Sequence, residues 1–232
     1  MVNGNGKTNG NGYWSDEADL IGELHAATSI ETPLKPDAFE LGDEEKMSQI
    51  AEHFHHIMDI LGMDLNDDSL SGTPKRVAKM FVKEIFKGIN PANKPSVSLF
   101  DNKYGYSQML VEKGIRVQSF CEHHFLPIYG VAHVAYIPGK KVIGLSKLNR
   151  IVDYYSRRPQ VQERLTEQIA AELRGALQTK DVAVYIDAKH MCVQARGIEH
   201  QNCSTVTTAF SGKFLNENVR SEFMQTIATK LQ

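Results

Sequence analysis

The sequence has little of what secreted, membrane-spanning or nucleic-acid-binding proteins need. Its 232 residues include only three cysteines, an odd number that does not make a disulfide framework. No apolar run approaches the roughly 18 residues of a membrane span, and the first residues lack the apolar core of a secretory signal. A formal charge of -2 provides no overall field for nucleic acid or an anionic membrane. We therefore expect a cytoplasmic protein with neither of these partners.

The amino-acid composition is typical of a globular protein. Hydrophobic residues make up 41% and charged residues 23% of the sequence, and a chain of this length buries roughly 70% of its unfolded surface. Residues 1–12 are almost entirely Gly, Asn, Lys and Thr, so we expect a disordered tail. We expect an N-terminal helical region over residues 13–95 and a mixed domain over residues 96–232.

The N-terminal region shows helical periodicity. Apolar residues recur every three or four positions in three stretches, which run from Ser15 to the Thr32-Pro33 break, from Asp43 to Gly62, and from Thr73 to Gly88. Thr73 is expected to cap the third helix, with Pro74 at its first position. A closing helix with Val219, Phe223 and Ile227 on one face is expected near the other end.

Beyond Pro95 the pattern changes to strands. Short β-rich segments occur at 114–120, 129–137, 182–187, 190–196 and 205–210. Two helical stretches, Lys147–Arg157 and Gln160–Gln178, separate the second segment from the third, and Arg158-Pro159 divides them because a residue before proline avoids the helical conformation. The order strand, strand, helix, helix, strand, strand predicts an α+β fold with an antiparallel sheet and both helices on one face.

The segment Cys121-Glu122-His123-His124 has the ligand types and spacing of a zinc site. Thiolate and imidazole are preferred zinc ligands, and a tight turn brings Cys121 and His124 onto one ion. The alternative is that these cysteines are small buried hydrophobes. With Cys192 from a second segment the count becomes three ligands and one open position, which is typical of catalytic zinc because structural sites use four protein ligands.

That second segment runs from His190 to Arg196. If it is a strand, His190, Cys192, Gln194 and Arg196 share one face by the two-residue period and line one wall of a cavity. A third polar group follows Gly144, where Ser146 is expected to cap a helix. Lys147 and Arg150 would then oppose the helix dipole unless a polyanion binds there; the alternative is that both are solvated surface cations.

Six segments together resemble the GTP cyclohydrolase I family. They are residues 31–33 (ETP), 73–80 (TPKRVAKM), 121–125 (CEHHF), 142–150 (VIGLSKLNR), 158–166 (RPQVQERLT) and 190–197 (HMCVQARG). The resemblance implies a tunnelling fold, with an antiparallel four-stranded sheet and two helices on one face. It implies zinc-dependent opening of the GTP imidazole ring at C8, release of formate, and rearrangement to 7,8-dihydroneopterin triphosphate.

The resemblance also implies roles for individual residues. Zinc would be held by Cys121, His124 and Cys192. At the guanine, the substrate would be bound by Glu163 and Gln162. At the ribose and triphosphate it would be bound by Ser146, Lys147, Arg150 and Arg196, with Arg76 of a neighbouring subunit. Protons would be moved by His123, His190 and Ser146. The assembly would be a decamer of two pentamers with active sites between subunits.

Two other functions stay open at the level of sequence. A tunnelling-fold nitrile reductase acting on a deazaguanine would share the purine-anchoring glutamate but use a nucleophilic cysteine without zinc. A non-catalytic relative would keep the metal for structure and would be expected to lose His123, His190 or the phosphate-binding cations. Four further residues are not expected to bind metal, namely His53, His55, His56 and Cys203.

Overall fold

The computed structural model describes residues 29–229. The tail predicted over residues 1–12 lies outside this range, as do all but the last residues of the helix predicted from Ser15. No helix within the described range is long and apolar enough to cross a bilayer. The first strand begins at Leu99, close to the boundary expected after residue 95, and the division into regions stays a prediction.

The N-terminal region is helical, as predicted. Its elements are α1 (Asp43–Ile60), α2 (Thr73–Lys79), a π-helical segment (Met80–Ile85) and 3-10 turns at Lys87–Ile89 and Pro91–Asn93. Three acidic residues in the first turn of α1 favour its start through the helix dipole. Gly62 follows α1 with a left-handed φ of 79°, which glycine adopts without a Cβ clash.

The helix predicted from Thr73 to Gly88 is not a uniform α-helix. Gly72, not Thr73, is the residue that precedes it. After Lys79 the backbone widens, and the Phe86 amide donates to the carbonyl of Phe81 five residues earlier at 3.0 Å. A π-helical segment of this kind is rare and recurs near functional sites, and it has no distinct apolar period in the sequence.

The remaining elements form the mixed domain. In chain order they are β1 (Leu99–Asp101), β2 (Leu110–Cys121), β3 (Pro127–Tyr136), β4 (Lys141–Ile143), α3 (Leu145–Ser156), β5 (Pro159–Gln160), α4 (Gln162–Leu177), β6 (Val182–His190), α5 (Met191–Gln194), β7 (Thr205–Phe210), a 3-10 turn (Gly212–Leu215) and α6 (Glu217–Ala228). The predicted α+β order is confirmed.

The main sheet has five strands in the order β5-β2-β3-β6-β7. The four long strands are antiparallel, as expected. The fifth strand, β5, is only two residues long and pairs parallel to the end of β2, with Gln160 opposite Cys121. A separate two-stranded sheet joins β1 and β4. Neither short pairing has a sequence signature, because each depends on a partner that lies far away in the chain.

The main core lies between the sheet and the helix pair α3 and α4. Residues facing the helices alternate along the strands, with Val117, Ala132 and Ile186 among those almost fully buried. Leu148 on α3 and Ile169 on α4 fill the space above them without exposure. Both helices therefore cover one face of the sheet, as predicted.

The C-terminal helix α6 covers one end of the opposite face. Phe223 on α6 and Phe214 in the preceding turn are fully buried against Ala135 and Ala183. The predicted apolar face of the closing helix is therefore confirmed. Elsewhere on this face Tyr129 and Val131 stay 43% and 39% exposed, so part of the sheet has no cover within the described chain.

Two further local predictions are wrong, in addition to the Thr73 cap. Residues 190–196 are not a strand, because β6 ends at His190, opposite Ile128 near the start of β3. The backbone then turns into the short helix α5, so the two-residue polar pattern does not describe a sheet face. Ser146 does not cap α3, because the helix starts one residue earlier and Gly144 precedes it.

Candidate metal centre and active site

Cys121, His124 and Cys192 converge at one end of the sheet. One ligand atom from each lies within 4.8 Å of the others. Cys121 is the last residue of β2, and pairing of β3 with β6 brings α5, which carries Cys192, beside it. Tetrahedral zinc holds its ligand atoms roughly 3.5 Å apart, so small side-chain rotations are sufficient to close the set on one ion.

The loop that carries His124 is tightly turned. The Cys121 amide donates to the Leu126 carbonyl, and the Phe125 amide donates to the Cys121 carbonyl, each at 2.8 Å. Phe125 has a left-handed φ of 53°, a conformation that costs a non-glycine residue about 1–3 kcal/mol. Its ring packs 5.1 Å from that of Phe86 and 6.2 Å from that of Phe81. Aromatic residues of the N-terminal region therefore pack on the loop that carries His124 and hold Phe125 in this strained conformation.

A buried ion pair attaches the same loop to α4. Arg164 is 6% exposed and donates to both carboxylate oxygens of Glu122, through Nη1 to Oε2 and through Nη2 to Oε1 at 3.3 Å. Its Nε also donates to the Ser29 carbonyl at 3.1 Å. A buried guanidinium needs such partners because its desolvation is costly. Sequence reasoning missed Arg164, although it lies on the apolar face of α4 four residues before the buried Gln168.

The donor set fits zinc in its chemistry. Burial, followed by the neighbouring Cys121, raises the pKa of the Cys192 thiol to about 11. The Cys192 thiol therefore resists ionisation in the absence of a cation, whereas a thiol that coordinates a metal is deprotonated. Sulfur and imidazole ligands favour zinc over magnesium or calcium, which prefer oxygen. The cluster therefore has the composition of a three-ligand zinc site.

Two further groups surround His124. Arg196 donates from Nη1 to Nε2 of His124 at 2.7 Å. Burial lowers the pKa of His124, and the charges of Arg196 and His123 lower it further. His123 lies beside the cluster, with its Nδ1 at 3.7 Å from the sulfur of Cys121. Its ring is exposed, so it can exchange protons with a molecule bound next to the metal ligands.

The first turn of α4 and the end of β6 bring three more predicted residues to this end. His190 places Nε2 at 2.7 Å from the Oε1 of Gln162. Burial lowers the pKa of His190, and the nearby carboxylate of Glu163 partly opposes this effect. Glu163 is exposed, and its carboxylate has no hydrogen-bond partner within residues 29–229. It is therefore free to accept bonds from a ligand.

The predicted phosphate-binding residues of α3 lie elsewhere. Ser146, Lys147 and Arg150 occupy the start of α3, where Asn149 donates to Glu112 at 3.0 Å. Glu112 lies nine residues before Cys121 on β2, a separation of roughly 30 Å at 3.3 Å per residue. The chain therefore does not bring these three residues to the metal ligands.

Arg76 is also separate from the cluster. Its Nη2 donates to the Ser69 carbonyl at 3.1 Å and to the Thr73 hydroxyl at 2.9 Å. Thr73 is the first residue of its own helix and Ser69 lies in the turn before it, and Arg76 is exposed. No hydrogen bond in the described part of the chain joins Arg76 to the residues around Cys121.

The residues for which no metal role is expected lie outside the cluster. His53, His55 and His56 are exposed on α1. Cys203 donates its thiol to the His200 carbonyl at 3.1 Å. None of these four belongs to the group of ligand atoms around Cys121.

Two of the comparisons with known proteins agree on one family. Residues 50–228 match the family described as GTP cyclohydrolase I. The chain is 57% identical to GTP cyclohydrolase 1 of Flavobacterium johnsoniae, over 94% of this chain and 97% of that protein. It is 49% identical to GTP cyclohydrolase 1 of Escherichia coli, over 92% and 96%. A solved structure of archaeosine synthase QueF-Like in the apo form aligns with 45% of this chain and 93% of its own, at 20% identity and a TM-score of 0.38, which is too low to bear on function.

Proposed function

The chain belongs to the GTP cyclohydrolase I family and is an enzyme of that type, and from this premise we propose how its residues divide the reaction. The substrate is GTP, which is hydrolysed at C8 of the guanine with release of formate and then rearranged to 7,8-dihydroneopterin triphosphate. The single observation that carries the proposal is the convergence of Cys121, His124 and Cys192. Membership of this family excludes the nitrile reductase, and the enzyme type of the named relatives excludes the non-catalytic relative.

We propose that zinc is the cofactor and that these three residues hold it. Two thiols and one imidazole leave one of the four positions of zinc without a protein ligand. When bound in such a site, zinc supplies a nucleophilic hydroxide at neutral pH. The ion pair of Glu122 with Arg164 and the packing of Phe125 hold the loop that presents His124.

Guanine recognition is assigned to Glu163. Its exposed carboxylate accepts hydrogen bonds from the N1–H and the N2 amino group of the base, a pattern that a carboxylate with two oxygens satisfies well. Gln162 is the second residue expected at the base. Its side-chain amide is engaged within the chain, with Thr205, Thr207 and His190 among its partners, so Glu163 is the accessible member of the pair.

Proton transfer is assigned to His123 and His190 near the metal ligands, and to Ser146. Imidazole suits this work because its ordinary pKa lies near neutrality. His123 is exposed beside Cys121 and reaches solvent or substrate. Ser146 lies at the other end of β2, so it serves the reaction from a different subunit.

The separation of about 30 Å along β2 supports an active site shared between subunits. The triphosphate needs the cations Lys147 and Arg150, together with Arg76, and none of these reaches the metal ligands of its own chain. Arg196, in contact with His124, is the cation on the metal side. We therefore propose that a neighbouring subunit supplies the others.

The sheet is suited to such an assembly. Strand β7 pairs only with β6, and β2 pairs on its outer side only at Phe120 and Cys121 within the described chain. Unpaired strand edges favour pairing with another copy. Because the sheet also keeps part of one face uncovered, we propose that the subunits close into rings, as two pentamers in a decamer.

A cytoplasmic location is part of the proposal. Cys121, Cys192 and Cys203 are all free thiols. A site that uses two thiolates as ligands suits a reducing compartment, where disulfides are rare.

The test is direct. Purified zinc-loaded protein is incubated with GTP, and formate is measured together with the fluorescent neopterin that oxidation of the product gives. ATP is the matched control, because it lacks the N1–H and N2 amino group that Glu163 binds. Formate release from GTP, lost after chelation and restored by zinc, is expected. GTP left intact by protein with a full complement of zinc would overturn the proposal.

A further inference from the structure

The side chain of Gln162 is buried and has a hydrogen-bond partner on each side of its amide. The residue is 1% exposed. Its Nε2 donates to the carbonyl of Ile186 at 3.3 Å and to that of Thr205 at 2.8 Å. Because both carbonyls only accept, the amide nitrogen must face them. The reverse orientation would place the Gln162 oxygen against two carbonyl oxygens in a buried site, which is costly.

Two threonine hydroxyls fix the same orientation independently. Nε2 of Gln162 also donates to the Thr207 hydroxyl at 3.1 Å. Thr207 lies 2.7 Å from the hydroxyl of Thr166, which in turn donates to the backbone carbonyl of Gln162 at 2.8 Å. The single hydroxyl proton of Thr166 is donated to that carbonyl. The Thr207 hydroxyl must therefore donate to the Thr166 hydroxyl and accept from Nε2 of Gln162. The two N–H groups of Gln162 are then shared among three acceptors, and each hydroxyl has one acceptor.

The oxygen of the amide therefore faces His190. Oε1 of Gln162 lies 2.7 Å from Nε2 of His190, and an amide oxygen only accepts. We propose that Gln162 is a positioning residue that holds His190 as the Nε2–H tautomer, so that Nδ1 carries the lone pair. Nδ1 has no hydrogen-bond partner within the described chain.

This assignment rests on the proposed function, in which His190 moves protons, and it names the atom that moves them. Nδ1 is then the nitrogen that presents a lone pair, while Nε2–H stays bonded to the amide oxygen of Gln162. Without Gln162 the proton would distribute between both nitrogens, and part of the population would present a donor where an acceptor is needed.

The experiment measures the tautomer directly. Zinc-loaded protein labelled with 15N-histidine is examined by solid-state NMR at pH 8, above the ordinary histidine pKa of about 6.5, and His190 is assigned by loss of its signals in His190→Gln. Protonated and unprotonated nitrogens of neutral imidazole have well separated 15N shifts. We expect the proton on Nε2. A proton on Nδ1 in the unmodified protein would overturn the proposal without any variant at Gln162.

Gln162→Met is the informative variant, and Gln168→Met is its control. Gln168 is a buried glutamine on the same helix whose side chain bonds to Ile30 and Gln160. We expect Gln162→Met to mix the two tautomers and to lower kcat by roughly tenfold or more, with little change in KM, whereas Gln168→Met keeps the Nε2–H tautomer.

The outcomes are separable. A higher KM with an unchanged kcat and tautomer would make Gln162 a guanine ligand and overturn the positioning role. If Gln162→Met does not fold, the tautomer of the unmodified protein decides. The tautomer is read without turnover, so absence of formate would count against the proposed function and leave the assignment of His190 intact.

Discussion

Strand β2 carries chemistry at both ends, and the two ends are built in opposite ways. At Cys121 the chain brings its own residues together, because β6 delivers Cys192 and α4 secures the loop through Arg164. At Glu112 the start of α3 presents Lys147 and Arg150, neither of which has an ion-pair partner in the described range. One end gathers three candidate ligands within a single chain, and the other presents two cations without an ion-pair partner among residues 29–229.

Under the proposed function, this difference separates the steps that depend on assembly from those that do not. Metal binding would use contacts within one subunit, whereas binding of the triphosphate would use residues that the same subunit does not bring to Cys121, His124 and Cys192. Variants at the metal end should therefore disable the chemistry of the subunit that carries them. Variants at the cationic end should disable a neighbour.

The largest effect is expected from Cys192→Ala. Removal of one of three ligands should abolish tightly bound zinc and formate release, because two ligands leave the ion mostly hydrated. Zinc content by elemental analysis and formate by assay are the measurements. Cys203→Ala removes a thiol outside the cluster and should keep both; full zinc retention in Cys192→Ala would remove Cys192 from the ligand set.

His123→Ala should cost less. Loss of a proton-transfer group typically lowers the rate by about 10²–10⁴, and zinc content with most of the GTP affinity should remain. Single-turnover kinetics and zinc analysis distinguish this from metal loss. His53→Ala, a change at an exposed histidine on α1, is the control. Loss of zinc in His123→Ala would instead make His123 a ligand.

Glu163→Gln should weaken recognition of guanine and spare the metal. The amide presents a donor where the base also donates, and a charge-assisted hydrogen bond is worth about 1.5–3 kcal/mol, so GTP should bind roughly 10- to 100-fold more weakly. Equilibrium binding measures this. The control is Glu167→Gln, one turn further along α4 and also exposed, which should leave GTP affinity unchanged. Equal losses of affinity at both positions would place the base elsewhere.

The smallest departure from normal activity is expected from mixing two inactive variants. Cys192→Ala removes one proposed metal ligand and leaves the cations intact. The double variant Lys147→Ala/Arg150→Ala removes two cations and leaves the ligands intact. In randomly mixed oligomers about one quarter of the shared sites combine two intact halves, so activity should recover to within about fourfold of the unmodified enzyme. Light scattering should show particles of about ten subunits. No recovery in verified mixed particles would contradict the shared site.

Much of the fold follows from apolar spacing, and the exceptions share one cause. Helix α1 and the strands of the main sheet have local periods that survive in the structure. The strand predicted after His190 is wrong because β3 continues only one residue beyond Ile128, to Pro127, which has no N–H to donate. The chain forms a short helix there instead. Likewise α3 starts after Gly144, whose amide donates to the Ser98 carbonyl at 3.2 Å. In both places a distant segment decides the local structure.

The site divides in the same way. Cys121 and His124 could be predicted because their spacing is local, and Cys192 because its residue type is rare in this chain. The partnership of Glu122 with Arg164 could not be predicted, since it joins a loop to a helix 42 residues away. The direction of the Gln162 amide depends on carbonyls of β6 and β7, which only the assembled sheet places together.

The left-handed backbone of Phe125 connects the N-terminal region to the candidate metal centre. Its ring is held by Phe86, which directly follows the π-helical segment, and the residue before it in the chain is the ligand His124. A shift of that segment would therefore remove a packing contact from the loop that carries His124. The helical region before residue 95 supports that loop from outside the sheet.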